Sequence, residues 1–444
     1  MQYKLVWVEE NVNYFDLEPS LLNYGPHAEM RFGYGVQNAA ISGKDFAATF
    51  YLSEDDIERN KEKGYLFFMK KSNCDLLLKA IGAHRQDLEK ACKKLLKLDL
   101  SKLTPAEFFD VYVGTASRLK PLFTAYSMTQ PDRTVYIEEK LEEYLEDQPI
   151  ASIPQAIQVL STPLHTFSTS KKVAHIFKTF AESIKAEDAK IDMTIMDKSI
   201  YTIKDVSQDK KNTLMKTLNV PPYIEHMSYI LSTFAEERLK MRFSWMLAIY
   251  FNELFLIELK RRYGILKSDL RMYDLSEFDD IIAKGILVPE DVLKERKKGF
   301  LKVLKDGHIK TFSGAAAVEY VKHHLETKVR KTSLLHGRSA SPGFVQGTAI
   351  VFSYKHTEEH AAKIQDMKGG EVIVSEMTRP NLIVACRKAS AIVTDEGGAL
   401  CHAAIISREF NIPCIVGTES ATKMIKDGDT LEVNADEGIV RIIA

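Results

Sequence analysis

Apolar residues recur at helical spacing through most of the stretch from about Ser53 to Glu326, so this portion reads as mainly helical. Helix starts are marked where Ser, Thr or Pro precedes acidic residues, as in "SEDDIE", "TPAEFF" and "PDRTVYIEEKLEEYL". Such side chains accept from otherwise orphaned N–H groups and suit the positive helix end. The longest pattern runs from about Pro222 to Tyr263 and stops at Gly264, which takes a left-handed cap without strain. Apolar residues nearly surround it, so it is expected in the middle of a bundle. Within it, "FSWMLAIYFNELFLIELK" carries Asn252, Glu253 and Glu258, which are costly in lipid, and the segment reads as a buried helix rather than a membrane span.

The two ends of the chain have other textures. "YKLVWV" suits a short strand, whereas "NYGPHAEMRFGYGVQNAAISG" is rich in Gly, Asn and aromatic residues without a period, so residues 1–52 are expected to be irregular. Loops of that kind can line a pocket, although Gly33-Tyr34-Gly35 alone is better read as a turn than as a phosphate cradle. Near Lys328 the polar stretch "KVRKTSLLHGRSASPGF" marks a domain boundary. Beyond it come β-branched runs, "GTAIVF", "GEVIVSE", "ASAIVT", "PCIVGT", "DTLEVNA" and "GIVRII", interleaved with helical "TEEHAAKIQDM", "NLIVACRKA" and "ALCHAAIISREF". The expected class is therefore multidomain: a mainly helical domain over 1–330, a linker over 331–343 and a small α/β domain over 344–444.

A chain of 444 residues is long enough for two or three cores. Charge narrows the partners: 60 Lys and Arg nearly cancel 61 Asp and Glu, so the whole molecule does not attract nucleic acid or an anionic membrane. The basic runs "KKVAHIFK" near Lys171 and "KERKKGFLKVLK" from Lys294 read as solvated faces. The five cysteines, Cys74, Cys92, Cys386, Cys401 and Cys414, show no zinc-ligand spacing, and the opening residues lack a secretion signal. A reducing, cytoplasmic setting without a metal site is expected.

The chemistry concentrates in "TDEGGALCHAAIISREFNIPCIVGT", Thr394 to Thr418. After the strand "AIVT", Gly397-Gly398 permits a tight turn, and a helix then runs to Asn411 and Pro413. Cys401 and His402 fall in its first turn, where free N–H groups and the helix dipole favour an anion. A neutral imidazole there is a competent nucleophile. A His that merely packs on its own helix is the competing reading, and Cys401 reads either as a reactive thiol or as a small packing residue.

The same stretch resembles the phosphohistidine signature of the phosphoenolpyruvate-utilising family, which includes phosphoenolpyruvate synthase, pyruvate phosphate dikinase and the rifampin phosphotransferases. The matching residues are Thr394, Gly397, Gly398, Cys401, His402, Ala403, Ala404, Arg408, Glu409, Ile412, Pro413, Val416 and Gly417. "GRSASPGFVQGTAIV" and "SEMTRPNLIVACRKASAIVT" extend the likeness from Gly337 to the C-terminus. The resemblance implies a β/β/α swivelling domain whose His402 accepts a phosphoryl group at one site and delivers it at another. It implies further that Thr394 and Gly397-Gly398 hold the loop near the phosphate beside Cys401, that Arg408 is a charge partner, and that Ser339, Ala340, Ser341, Pro342 and Gly343 belong to the moving joint. Leu400 stands two before the His, where plant-type dikinases carry a regulatory Thr.

Family machines also carry an ATP-grasp domain, which loads the His from ATP, and a barrel that binds pyruvate; neither pattern is legible here. The resemblance therefore implies ATP and magnesium acting through a separate ATP-grasp protein. Residues 236–282 are similar to the helical segment before the His domain in rifampin phosphotransferases, where that domain holds the acceptor, so a small-molecule acceptor is one expectation and a purely positioning scaffold is another. Two function classes stay open: a phosphotransferase component, synthase-like or acting on an antibiotic-like acceptor, and a binding or regulatory module with a signalling or vestigial His.

Overall fold

The computed structural model describes residues 2–10, 13–44, 47–169, 201–325, 332–353, 359–378, 382–398 and 401–443. The basic run near Lys171 and residue Leu400 lie outside these residues. The chain divides into two compact units, one of Met1–Arg133, Pro163–Val206 and Glu236–Glu326, the other of Thr134–Thr162, Ser207–Ala235 and Thr327–Ala444. Helical segments 134–162 and 207–235, read from the sequence with the rest of 1–330, thus group with the C-terminal sheet. A helical pattern shows that one face is buried, but not against what. Among the described residues no helix is long and apolar enough to cross a membrane.

The first unit holds strands β1 (Tyr3–Glu10), β2 (Asn38–Lys44), β3 (Ala47–Ser53), β4 (His165–Thr169), β5 (Tyr201–Asp205), β6 (Phe300–Lys305) and β7 (His308–Ser313). Five of them form an antiparallel sheet ordered β1-β3-β2-β6-β7, with β4 and β5 paired separately. Helices Tyr14–Tyr24 and Pro26–Phe32 complete the N-terminal region. The expected irregular segment is therefore ordered. Its period was hidden because Ala39, Ala40 and Ile41 of β2 are all fully buried, one face packing on Tyr14, Leu17 and Leu21 and the other on Leu301 and Val303. A strand buried on both sides shows no alternation. β2 is also held by a ladder to β6, Asn38 opposite Lys305, which no local reading reaches.

The run from Lys294 is likewise not one solvated face. Helix Glu290–Lys298 ends before Gly299, and β6 then buries Lys302, whose Nζ lies 2.6 Å from Asp274 Oδ1, 3.1 Å from Glu18 Oε2 and 4.7 Å from the Tyr14 ring centroid. Helix Pro222–Tyr263 ends where expected, with Gly264 at φ 68°. Its later part contributes Phe251 and Phe255, which stack on Tyr112 and Phe108 of helix Pro105–Ala116.

Asp16 makes the stability of this unit pH-dependent. Burial pushes its carboxyl up to about 6, although Asn13 donates to it through both backbone N–H and side-chain amide. The native state thus retains a proton that the unfolded chain releases near the ordinary value of 3.8. Between those values the folded form binds more protons, so stability falls as pH rises and the deficit is complete above about pH 6. Urea midpoints of Asp16→Asn and wild type should therefore diverge in favour of the variant from pH 4 to pH 7. A constant difference would count against this account.

The second unit contains β8 (Leu334–His336), β9 (Arg338–Ser341), β10 (Phe344–Phe352), β11 (Val372–Ser375), β12 (Ala391–Thr394), β13 (Cys414–Val416), β14 (Thr430–Asn434) and β15 (Ile439–Ile442). They form one sheet ordered β8-β15-β14-β10-β11-β12-β13-β9, parallel from β10 through β13 and antiparallel elsewhere. Helices Ile383–Lys388 and His402–Phe410 are the crossovers into β12 and β13, and their buried Ala385, Cys386, Ala403 and Ala404 share a core with Ile373, Ile392 and Val416. Fully buried parallel strands explain the unbroken apolar runs Val372–Ser375 and Ala391–Thr394. The α/β expectation for this region matches the structure.

Candidate functional site

β11 and β12 are parallel neighbours with Ser375 opposite Thr394, so the segments leaving both strands emerge at the same edge of the sheet. In parallel sheets, ligands bind beyond these carboxyl ends. Thr394 is fully buried and donates its hydroxyl to Glu396 O at 2.6 Å, while its carbonyl accepts from Thr418 N and Oγ1, both at 3.0 Å. Asp395 accepts from Thr422 N at 3.0 Å and from the Thr422 hydroxyl. Thr394 therefore braces the start of the loop through hydrogen bonds to its own backbone and to Thr418.

Gly397 has φ 121°, and a Cβ there would lie 2.7 Å from Cys401 Sγ. Both facts require glycine. Gly398 accepts from Cys401 N at 3.0 Å, and Cys401 then caps the helix, its Sγ accepting from Ala404 N at 3.4 Å. Burial pushes the Cys401 thiol up, so it stays protonated near neutral pH rather than becoming a nucleophilic thiolate. The packing alternative weighed for this residue fits better, with capping added.

His402 is the first residue of helix His402–Phe410 and is half-buried. Its Nδ1 lies 3.0 Å from the hydroxyl of Thr378, a buried residue just beyond β11. Sequence reasoning passed over Thr378. The available signal was a Thr three residues after the end of a buried strand, inside the quoted "SEMTRPN". The contact orients the imidazole ring. On the expectation that His402 carries a phosphoryl group, removing the hydroxyl in Thr378→Val should slow its labelling about tenfold, the value of one hydrogen bond. Thr378→Ser should restore the rate in single-turnover labelling, and an unaltered Thr378→Val rate would remove Thr378 from the site.

Arg408 interacts electrostatically with Cys401 and Glu138. Six residues after His402, it lies about 9 Å along the helix axis. Its Nε donates to Ala340 O at 2.7 Å, which ties the helix to β9. Ser339, Ala340 and Ser341, read as part of a moving joint, are ladder residues of β9, with Ser341 opposite Cys414 and Ser339 opposite Ile415. Pro342 and Gly343 follow, Gly343 N donating to Asp436 Oδ1 at 2.9 Å. Small polar residues suggest a linker in sequence, but they also suit a strand that packs closely under a helix.

A group absent from the sequence reading also reaches the loop. Glu138 of helix Pro131–Glu146 is buried, and a Cβ added at Gly398 would lie 3.0 Å from its Oε2. Arg338 lies between this carboxylate and Glu142, at 3.9 Å and 2.7 Å. Among the described residues no group of three or more metal-ligating side chains is gathered.

Residues 367–438 match the family described as PEP-utilising enzyme, mobile domain. A probable phosphoenolpyruvate synthase of Archaeoglobus fulgidus is 36% identical over 183 residues, 39% of this chain and 23% of that relative. The phosphoenolpyruvate synthase of Pyrococcus furiosus is 37% identical over 154 residues, 34% of this chain and 18% of its own. A probable synthase of Staphylothermus marinus is 48% identical over 107 residues, 24% of this chain and 12% of its own. The chain thus spans less than a quarter of the length of these relatives. A Gly-Gly turn, a capped helix with His at its first position and the parallel strands β11 to β13 behind them all lie within the residues that match this mobile-domain family.

Proposed function

We propose that this chain is a phosphotransferase component in which His402 carries a phosphoryl group from an ATP-derived donor to an acceptor. The observation that carries the reading is the 3.0 Å contact of His402 Nδ1 with the Thr378 hydroxyl, at the carboxyl edge of the parallel strands. With the ring proton on Nδ1 and donated to Thr378, the lone pair falls on Nε2. Nε2 attacks phosphorus, the bond to the donor's leaving oxygen breaks, and that oxygen departs with the electron pair. The ring becomes cationic, its Nδ1 proton held by Thr378, and delivery to an acceptor oxygen restores the neutral imidazole. The relatives' own names, phosphoenolpyruvate synthases, make a pyruvate-like acceptor the first to try.

ATP and magnesium are assigned to a separate ATP-grasp protein, and this chain supplies the carrier. Thr394 and Gly397 hold the loop, while Cys401 closes the helix start. The test is incubation with ATP, magnesium and the cognate ATP-grasp protein. Acid-labile, base-stable phosphate on His402 is expected; folded chain that takes up none from such a partner sinks the proposal.

A further inference from the structure

The buried face of helix Glu54–Phe68 is chemically unusual. Read every fourth residue, it is Asp56, Asn60, Gly64 and Phe68, all buried. Asp56 is satisfied, accepting from Gln37 N at 2.9 Å, Asn38 N at 2.7 Å and Ser53 Oγ at 2.7 Å. One turn on, Asn60 is 2% exposed and neither its amide nitrogen nor its oxygen has a partner. A further turn on, a Cβ at Gly64 would lie 2.9 Å from Arg133 O and 3.3 Å from Tyr34 Oη. The glycine therefore lets Tyr34 and the Arg133 backbone close over this face.

Those two residues carry open polar atoms of their own. Tyr34 is buried, and its hydroxyl has no partner. Arg133 is 1% exposed; its Nη2 donates to Tyr24 O at 2.7 Å, but Nη1 and Nε have no hydrogen-bond acceptor. The guanidinium lies 5.4 Å from the Tyr34 ring centroid and 5.7 Å from that of Tyr24. Asp132 Oδ2 is 3.5 Å from Nε, its Oδ1 lacks a partner, and burial pushes its carboxyl up, weakening it as a counter-charge. Each unmatched buried group costs about 1–3 kcal/mol, and a buried cation needs an anionic neighbour. So many open groups from three elements imply a missing polar occupant.

We propose that Arg133, Tyr34 and Asn60 form a binding site for a small oxyanion, a carboxylate or a phosphate. Arg133 supplies the charge, the Tyr34 hydroxyl and the Asn60 amide donate to the anion's oxygens, and the Tyr24 and Tyr34 rings flank the guanidinium. The site is independent of the role given to His402. It also revises the reading of Gly33-Tyr34-Gly35 as only a turn, since the middle residue supplies a ligand group.

The test is calorimetric titration of the full chain with sodium acetate and, separately, inorganic phosphate, with chloride at matched ionic strength as the control. Saturable binding of either oxyanion, absent with chloride, is expected, and which of the two binds identifies its source. Tyr34→Phe, which removes one oxygen and keeps the packing, should weaken it about tenfold, the value of one hydrogen bond. The same variant should not lower the melting temperature of the ligand-free protein, because the hydroxyl it removes is unsatisfied there. Asn60→Leu should weaken binding similarly. Saturation by neither anion, or affinity untouched in both variants, overturns the proposal. A lower ligand-free melting temperature in Tyr34→Phe also overturns it, since the hydroxyl would then serve a structural bond to buried water.

Discussion

His402→Ala should retain the fold and lose all acid-labile phosphate. The half-buried side chain sits at the first position of its helix, and the cap bond from Ala404 N to Cys401 Sγ does not involve the imidazole. Ala is also the best helix former, so melting should change little. The proposed nucleophile, in contrast, is the group deleted, and the adjacent Cys401 is held as a neutral thiol by burial. Labelling should therefore fall to background, a loss of several orders of magnitude, as when a covalent catalyst is removed. Residual phosphate that resists acid would point to a hydroxyl carrier and refute the assignment.

The second large effect concerns stability and lies in the other unit. Glu253, on helix Pro222–Tyr263, is 1% exposed and pairs with Lys267 Nζ at 3.0 Å and with the Arg271 guanidinium, both cations also being buried. Arg271 Nη1 in turn donates to Asn13 Oδ1 at 2.5 Å, fastening the N-terminal segment to the helices. Glu253→Met leaves two buried cations without their shared anion, a loss of about 3–5 kcal/mol. A marked fall in the urea midpoint is expected, together with weaker protection of amides near Asn13. Adding Lys267→Met and Arg271→Met should recover much of the loss, because the desolvation cost of the cations goes with them. A single Glu253→Met variant as stable as wild type would show that the cluster is not what holds this region.

This network shows how legible the fold was. Glu253 was conspicuous in the sequence as a charge inside an apolar run, enough to exclude a membrane span, but its partners could not be read. Lys267 follows it at a distance set by the turn at Gly264, and Asn13 is brought from the opposite end of the chain. The β2–β6 ladder was invisible for the same reason. A local pattern records which side of a residue avoids water, whereas pairing across hundreds of residues leaves no local trace.

Within the candidate site the division is equally plain. The sequence by itself determined the local geometry around His402: a buried strand, a turn that only glycine allows at Gly397, a helix start at Cys401, and a left-handed stop at Asn411, φ 52°. These depend on backbone conformations that neighbouring residues impose on one another. Only the tertiary structure decided which groups meet that helix. It placed Thr378 on His402 and Glu138 at Gly398, turned Arg408 toward Ala340, and built Ser339 to Ser341 into a strand. Those contacts join separate strands and helices, and their positions follow from how the sheet packs as a whole, not from the residues beside them.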